Sequence, residues 1–335
     1  MILELFGSPD PLQLNGIGGG KSHTSKLVAV AGDEKYDIRY TFAQVGVEQA
    51  EVDWSKNSGN VASAVGPAAI QFGLLETEPS VTEITIRNTN TGTIIDQRVP
   101  VTDDAPAILG EYSIDGVPGT GAKIETTYLD PGGSVTGHLL PASSSTTTLD
   151  VDGELQVSIV DIGSLIIFVR AADLGLEGTE LPGELESRSQ VLDRLEGVRS
   201  VIRERLNLTD AKRSNPALGI VSPPQSYACT VDRTVASEDI DVTARFISLQ
   251  PHHAISMTGA MCLGAATRIP GTIPADVAER DSAEITIGHP KGTVTVNVDI
   301  DTGENEPVVR SATYFRTACP LAKAEIYYRK IGQLA

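Results

Sequence analysis

Two long apolar segments, one in each half of the chain, most constrain how this sequence can fold. They are residues 61–75 and 254–269, and both are apolar on nearly every side rather than along one stripe. Because a helix that is apolar all round is buried, each segment predicts a helix at the centre of a core. Ser58 is placed to cap the first helix, and Pro67 inside it predicts a kink or a break into shorter turns.

Strand patterns surround both segments, as alternating or short apolar runs bounded by turn residues. In the first half they cover 27–30, 35–44, 82–87, 93–99 and 122–129. In the second half they cover 154–160, 165–169, 233–236, 240–248, 283–287, 292–300, 308–316 and 324–328. A surface amphipathic helix is predicted over 191–206.

Each half therefore holds mostly antiparallel strands and one buried helix. This order predicts an α+β chain of two similar lobes, each a curled sheet around its own helix, with the active site in the cleft between them. The hydroxyl-rich tract 143–148 predicts the boundary. Lobe one is expected over 1–142, completed by a C-terminal strand at 323–335, and lobe two over 143–322.

Charge and cysteine content exclude several classes of function. The 44 acidic residues outnumber the 26 basic ones and give a net charge of −18, which opposes nucleic-acid binding and is typical of proteins that work in concentrated salt. No segment reaches the roughly 20 apolar residues of a membrane span, and the N-terminus lacks a signal-peptide pattern. The 3 cysteines are widely spaced, which argues against a disulfide framework and a structural zinc site. We expect a cytoplasmic protein that binds neither nucleic acid nor membrane; a homodimer stays open.

The glycine-rich segment 15–26 is the strongest local indication of a ligand site. It places three glycines ahead of three hydroxyl residues and a lysine, namely Gly18, Gly19, Gly20, Ser22, Thr24, Ser25 and Lys26. Glycine allows positive φ, so successive N–H groups can converge on an anion. The segment is not a P-loop, because that motif needs a glycine where the chain has Asn15. A desolvated Lys26 can act as a base, which suggests a carboxylate site; an ordinary turn with a solvated lysine is the alternative.

A series of phrases along the chain carries a family resemblance. They are Gly7-Ser8-Pro9-Asp10, Gly18-Gly19-Gly20 with Thr24-Ser25-Lys26, Val52-Asp53-Trp54-Ser55 with Gly59-Asn60, Asn88-Thr89-Asn90-Thr91-Gly92, Asp115-Gly116-Val117-Pro118-Gly119-Thr120-Gly121-Ala122, Gly133-Ser134-Val135-Thr136-Gly137, residues 168–176 and Arg268-Ile269-Pro270-Gly271-Thr272. Together they resemble the PrpF family of methylaconitate and related isomerases over nearly the whole length.

The resemblance implies a diaminopimelate-epimerase-like fold, in which the N-terminus of each central helix points into the shared cleft. It implies cofactor-free isomerisation of small unsaturated di- or tricarboxylates, with the family lysine at Lys26. Two features depart from the family. Ser58 occupies the position of the family cysteine, and serine is far less acidic than a thiol of pKa near 8.5. Family members also carry an N-terminal segment before the phrase that begins at Gly7; either Met1 is internal to a longer reading frame, or lobe one lacks its first strand and has an unpaired edge.

The predicted chemistry assigns Lys26 as the general base and Ser58 as a catalytic hydrogen-bond donor to the substrate, with a plain N-cap as the alternative for Ser58. N–H groups at both helix starts are expected to stabilise the anion and to lower the pKa of Lys26. The residues predicted to bind substrate are Gly19, Gly20, Ser22, Thr24, Ser25, Gly59, Asn60, His252, Thr258 and Gly259.

The remaining polar residues have structural explanations. His252 and His253 are adjacent, so only one can face a cleft, and a surface or capping histidine is the alternative; no metal site or cofactor is expected. Cys262 is expected to be a buried, inert thiol. Asp10, Asn88 and Asn90 are expected to make turns. Asp115 and Arg268 are expected to make structural hydrogen bonds, with substrate contacts as the alternative.

Several activities stay open at this point. Oxalomesaconate tautomerase and methylitaconate isomerase activities use the same proton shift as methylaconitate isomerisation. A non-catalytic carboxylate-binding protein is the alternative from another class. A two-base racemase is disfavoured, because no cysteine lies at either helix start.

Overall fold

The computed structural model describes residues 1–54, 58–208, 215–231, 233–279, 282–303 and 306–327, and the chain divides into two compact units. Unit 1 comprises Met1–Glu111, Gly121–Ile124 and Thr317–Ala335, and unit 2 comprises Tyr112–Thr120 and Glu125–Arg316. The boundary expected after residue 142 therefore differs from this division. The hydroxyl tract lies within unit 2, where the Ser145 hydroxyl donates to the Pro270 carbonyl at 2.9 Å.

Unit 1 contains three helices and six strands among the described residues. In chain order they are α1 (Ile2–Phe6), β1 (Lys26–Gly32), β2 (Ile38–Val45), β3 (Val52–Asp53), α2 (Gly59–Ala62), α3 (Val65–Gln71), β4 (Val81–Asn88), β5 (Ile94–Thr102) and β6 (Ala105–Pro106). Every strand pair in this unit is antiparallel except β2 with β4.

Strand β2 is the central element for the site. Strand β1 pairs along one edge, with Lys26 opposite Gln44. Along the other edge β4 runs parallel as far as Tyr40, which lies opposite Asn88, and β3 pairs further on, with Asp53 opposite Gln44. The N-terminus of β1 is thereby fixed by the same residue of β2 that meets β3.

The first apolar segment forms two short helices instead of one. The prediction that Pro67 breaks it is confirmed, since α2 ends at Ala62 and α3 begins at Val65. Burial all round is wrong for its C-terminal end, where the Phe72 side chain is 60% exposed because the helix has already ended. The apolar run 27–30 predicts a buried strand, but β1 is half-buried or exposed along its length, because it lies at the end of the strand order.

The chain from Tyr112 onward supplies the elements of unit 2. They are β7 (Tyr112–Ser113), β8 (Thr120–Gly121), β9 (Ile124–Leu129), β10 (Thr147–Asp150), β11 (Glu154–Asp161), β12 (Leu165–Arg170), a 3-10 turn (Ala171–Leu174), α4 (Pro182–Glu186), α5 (Ser189–Arg205), β13 (Ala217–Ser222), β14 (Tyr227–Ala228), β15 (Thr234–Val235), a 3-10 turn (Ser237–Asp239), β16 (Val242–Ile247), α6 (Met257–Ala266), α7 (Ile273–Val277), β17 (Glu284–His289), β18 (Gly292–Asp301) and β19 (Val308–Arg316). The main sheet has the order β9-β19-β18-β17-β16-β13-β12-β11-β10.

Helix α6 is the buried centre of unit 2. All ten of its residues are buried, and it packs against β11, β12, β17, β18 and β19. This confirms the prediction for the second apolar segment. Helix α5 packs its apolar stripe, which includes Leu195, Val198 and Ile202, into the core beside β12 and β13, while its other face is solvated. The molecule is an α+β protein with mostly antiparallel pairing.

The C-terminal segment does not form the expected strand over the part that can be compared. Residues 317–327 contain no strand, and residues 328–335 lie outside the described residues. Among the helices of the described chain, none has both the length and the apolar composition needed to cross a bilayer.

Candidate active site

The structure brings the two predicted catalytic side chains together in unit 1. Lys26 is the first residue of β1, and its Nζ donates to Ser58 Oγ at 3.2 Å. Ser58 precedes α2 with an extended backbone, and within the described residues its hydroxyl makes no capping hydrogen bond. Both side chains are half-buried. Ser58 is in the cap position, and its hydroxyl contacts the lysine; its catalytic role stays a prediction.

The glycine loop before Lys26 is closed by a side chain that the sequence patterns did not indicate. Gln13 is 2% exposed, and its Oε1 accepts hydrogen bonds from the Gly20 N–H and the Ser25 hydroxyl, both at 2.8 Å. A Cβ at Gly18 would lie only 2.1 Å from that Oε1, so glycine is required there. No periodic signal could have identified Gln13, because it acts through one buried amide.

Several donors predicted to bind substrate are used within this loop. Gly19 and Gly20 have positive φ, at 72° and 65°, as expected. The Thr24 hydroxyl donates to the Gly18 carbonyl at 2.6 Å, and Ser25 is fully buried. Hydrogen bonds inside the loop therefore account for Thr24, Ser25 and the Gly20 N–H, while the Ser22 side chain stays exposed. Their roles in substrate binding remain predictions.

Gln44 fastens the loop to the sheet and so fixes where Lys26 begins. Its Nε2 donates to the carbonyls of Ser22 and Ser25 at 2.8 and 2.9 Å, and its backbone lies opposite Lys26. The pairing of β1 with β2 holds the chain from Lys26 onward, and the Gln44 hydrogen bonds hold the loop that precedes Lys26. The backbone from which the Lys26 side chain extends is therefore fixed by these contacts.

The start of α2 differs from the expected anion site. Gly59 is buried and Asn60 is exposed, but α2 has only four residues. A macrodipole needs several aligned peptide units, so α2 can contribute little of the dipole that was predicted to lower the lysine pKa. Any stabilisation of an anion here must come from individual groups.

Unit 2 places its predicted site residues around the start of α6. The Ser256 side chain accepts the Gly259 N–H at 3.1 Å, so Ser256 is the cap and that N–H is occupied. Thr258 is buried. His252 Nε2 lies 2.8 Å from Ser248 Oγ, and burial lowers the pKa of His252, while His253 is exposed.

Arg316 is a charged residue at the same helix start that sequence analysis missed. Its guanidinium contacts the Sδ atom of Met257, the first residue of α6, and donates to the Phe315 carbonyl at 3.0 Å. Burial lowers the pKa of Arg316. No sequence motif indicated Arg316, because it is the last residue of a strand with an ordinary alternating pattern.

Other polar residues have the structural contacts that were expected. Asp115 accepts the Thr293 N–H at 2.7 Å, and Arg268 donates to the Val298 carbonyl at 2.7 Å. Cys262 is fully buried, as expected, and burial raises the pKa of its thiol well above the ordinary value. Across the described ranges, no three His, Cys, Asp or Glu side chains converge as they would around a metal ion.

Comparison with known proteins identifies the family. The profile of the PrpF protein family matches residues 1–329. The chain belongs to the PrpF family. It is 34% identical to 3-methylitaconate isomerase of Eubacterium barkeri, over 98% of this chain and 90% of that protein. It is 33% identical to 2-methyl-aconitate isomerase of Shewanella oneidensis, over 95% of this chain and 85% of that protein.

Solved structures agree with this membership. A crystal structure of methylitaconate-delta-isomerase superposes with a TM-score of 0.80 at 32% identity, covering 95% of this chain and 86% of the other. A probable proline racemase from Agrobacterium radiobacter, with a TM-score of 0.51 at 13% identity over 95% of this chain and 78% of the other, shows the shared fold alone. The family and fold implied by the sequence phrases are confirmed, and the named relatives support an isomerase activity.

Proposed function

We propose that this protein is a cofactor-independent isomerase that moves a proton within small unsaturated di- or tricarboxylates such as 2-methylaconitate. Lys26 is the base. The observation that carries the proposal is the 3.2 Å contact between Lys26 Nζ and Ser58 Oγ. These are the two side chains for which the sequence predicts catalytic roles. The relatives named for methylitaconate and methylaconitate support the substrate class.

The reaction begins with the uncharged Lys26 amine. It removes a proton from a carbon that a carboxylate-conjugated double bond activates, so a C–H bond breaks, an N–H bond forms and the electron pair passes into a dienolate. Rotation about the weakened double bond, or return of the proton to the far carbon, gives the cis-trans or the allylic isomer. The proton leaves Lys26 in the second step, so the reaction has no net redox change.

Ser58 fits the role of a hydrogen-bond partner rather than that of a second acid. A serine hydroxyl does not ionise in the neutral range, unlike a cysteine of pKa near 8.5. It can accept a hydrogen bond from the amine, which orients the nitrogen lone pair, or donate to a carboxylate or dienolate oxygen. Its half-buried position strengthens either contact relative to bulk water.

The precise substrate separates closely related activities. One proton-shift mechanism serves methylaconitate, methylitaconate and 4-oxalomesaconate, so the geometry of Lys26 and Ser58 supports all three equally. We place methylaconitate-type substrates first. A carboxylate-binding protein without catalysis is the competing function, because it would use Lys26 in its cationic form and needs no proton transfer.

The test is deuterium incorporation followed by proton NMR in heavy water. The wild-type protein is incubated with a panel of unsaturated di- and tricarboxylates, and we expect exchange at the allylic position together with isomer formation. Lys26→Ala should abolish exchange, whereas Lys35→Ala, which removes an exposed amine from the turn between β1 and β2, should not. Binding of the panel without exchange by the wild type would favour the non-catalytic function. Unchanged exchange in Lys26→Ala would rule out the base assignment.

A further inference from the structure

The carboxamide of Asn90 lies on the same edge of β2 that β4 and β3 use. Strand β4 borders this edge as far as Tyr40, and β3 resumes at Gln44. Between them, Asn90 Oδ1 accepts the Phe42 N–H at 2.7 Å, and Asn90 Nδ2 donates to the Phe42 carbonyl at 2.8 Å. One side chain thus makes both hydrogen bonds that a neighbouring strand would make to Phe42.

The same amide nitrogen also reaches the segment that leads to Ser58. Asn90 Nδ2 donates to the Trp54 carbonyl at 2.7 Å, one residue after β3 ends and four residues before Ser58. Asn90 itself is oriented by Asn88, whose Oδ1 accepts the Asn90 N–H at 2.8 Å. The two asparagines were expected to make a turn, and they do; the Asn90 side chain also connects three separate stretches of chain.

These contacts connect Asn90 to a strand that pairs with β1, which carries Lys26, and to Trp54, four residues before Ser58. Phe42 lies opposite Val28 of β1, two positions along from the Gln44–Lys26 pair, so its backbone belongs to the sheet that fixes Lys26. Trp54 belongs to the segment from which Ser58 follows. We propose that Asn90 is a positioning residue, which sets the distance between Lys26 Nζ and Ser58 Oγ by tying β2 to the approach to α2. The role assumed for that pair rests on the proposed function.

The magnitude follows from how strongly proton transfer depends on placement. A displacement of about 1 Å can cost on the order of 100-fold in rate. Asn90→Asp keeps an acceptor for the Phe42 N–H but loses both donated hydrogen bonds. We expect turnover to fall at least about 10-fold in Asn90→Asp and further in Asn90→Ala, with the larger change in kcat rather than in KM, since the pair acts in the chemical step.

The control is Thr91→Ala in the same turn. Within the part of the chain that the structure describes, the Thr91 hydroxyl contacts only the Thr93 hydroxyl and N–H, so this variant disturbs the turn without removing a contact to Phe42 or Trp54. Its kcat should match that of the wild type. A comparable loss in both variants would show that any damage to this turn is enough, and would overturn the positioning role.

A second measurement does not depend on the isomerase activity. The rate at which an amine-directed acylating reagent modifies Lys26 is followed across pH by mass spectrometry in the wild type, Ser58→Ala, Asn90→Asp and Thr91→Ala. We expect the Asn90→Asp profile to move in the same direction as that of Ser58→Ala, whereas Thr91→Ala stays at the wild-type profile. An unchanged Lys26 profile in folded Asn90→Asp would refute the inference. Absence of exchange by the wild type, with these profiles as expected, would refute the proposed function alone.

Discussion

Replacing Ser58 by cysteine gives the sharpest test of the site geometry. The change introduces the residue that the family resemblance implies at this position and places a thiol where the hydroxyl lies 3.2 Å from Lys26 Nζ. A thiolate formed there would face the ammonium form of Lys26. Because the lysine stabilises the thiolate, the pKa of the new thiol should lie below the usual value near 8.5.

The expected size of this effect follows from the distance and the partial burial. Two unit charges 4 Å apart interact with about 4 kcal/mol at an effective dielectric constant of 20, and one pKa unit corresponds to about 1.4 kcal/mol. Both side chains are half-buried, so solvent screens part of the attraction. We therefore expect the thiol pKa to fall by about 1 to 3, with the titration belonging to the lysine–thiol pair as a whole.

The assay is the rate of iodoacetamide alkylation as a function of pH in a Cys319→Ser background, which removes the exposed native thiol. The native Cys229 and Cys262 are buried, and burial raises the pKa of each, so they should react slowly. Adding Lys26→Met should return the new thiol to the ordinary range. A profile that Lys26→Met does not change would refute the contact between residues 26 and 58.

Three further outcomes follow from other parts of the structure. Asp161 is fully buried and accepts four hydrogen bonds from the loop Ser134-Val135-Thr136. Asp161→Ala should therefore lower the free energy of unfolding by roughly 3 kcal/mol, as measured by urea denaturation. Gly18→Ala should destabilise the protein by about 1 to 3 kcal/mol and slow deuterium exchange into the substrate, because the new Cβ overlaps the buried Gln13 carboxamide. Gly32→Ala has open space around the new Cβ and should have neither effect. Burial lowers the pKa of His289 to about 4. As the pH falls from about 6.5 towards 4, the unfolded chain therefore takes up a proton before the folded chain does, and the free energy of unfolding should decrease. In pH-dependent unfolding, His289→Gln should reduce this dependence of stability on pH, and His138→Gln, at an exposed histidine, should leave it unchanged.

The sequence was most informative where a pattern is periodic or a residue type is rare. The all-round apolar pattern predicted α6 correctly because every residue of that helix is buried. The same reasoning failed beyond α3, where Phe72 is exposed, since hydrophobicity alone does not say where a helix ends. Lys26 was identified from the glycine-rich segment and Ser58 from its place before the first apolar helix, and the family resemblance gave both a role. The pattern could not predict their direct contact, because 32 residues separate them in the chain.

The supporting residues were the least predictable. Gln13 and Asn90 each act through one side-chain carboxamide that accepts a hydrogen bond from a backbone N–H. Gln13 lies 7 residues from its partner in the chain, and Asn90 lies 48 residues from its partner. Such contacts leave no periodic trace, because only the folded chain determines which backbone groups lack a strand partner. The glycine loop shows the same limit, since Thr24 and Ser25 were predicted to be ligand donors, and the pattern did not reveal that their hydroxyls also hold the loop that carries Lys26.

A serine beside the lysine also constrains the stereochemistry of the reaction. In the Lys26–Ser58 pair only the amine can exchange a proton in the neutral range, so the group that removes the proton must also return one. A single base reaches one face of a planar dienolate, and an allylic shift should therefore be suprafacial. In heavy water, a stereospecifically labelled methylitaconate-type substrate should gain deuterium on the face from which the proton left. Delivery to the opposite face would require a second acid and would refute the single-base reaction. If Ser58→Cys then produced mixed delivery while the wild type did not, the residue at position 58 would decide between one-base and two-base chemistry on the same scaffold.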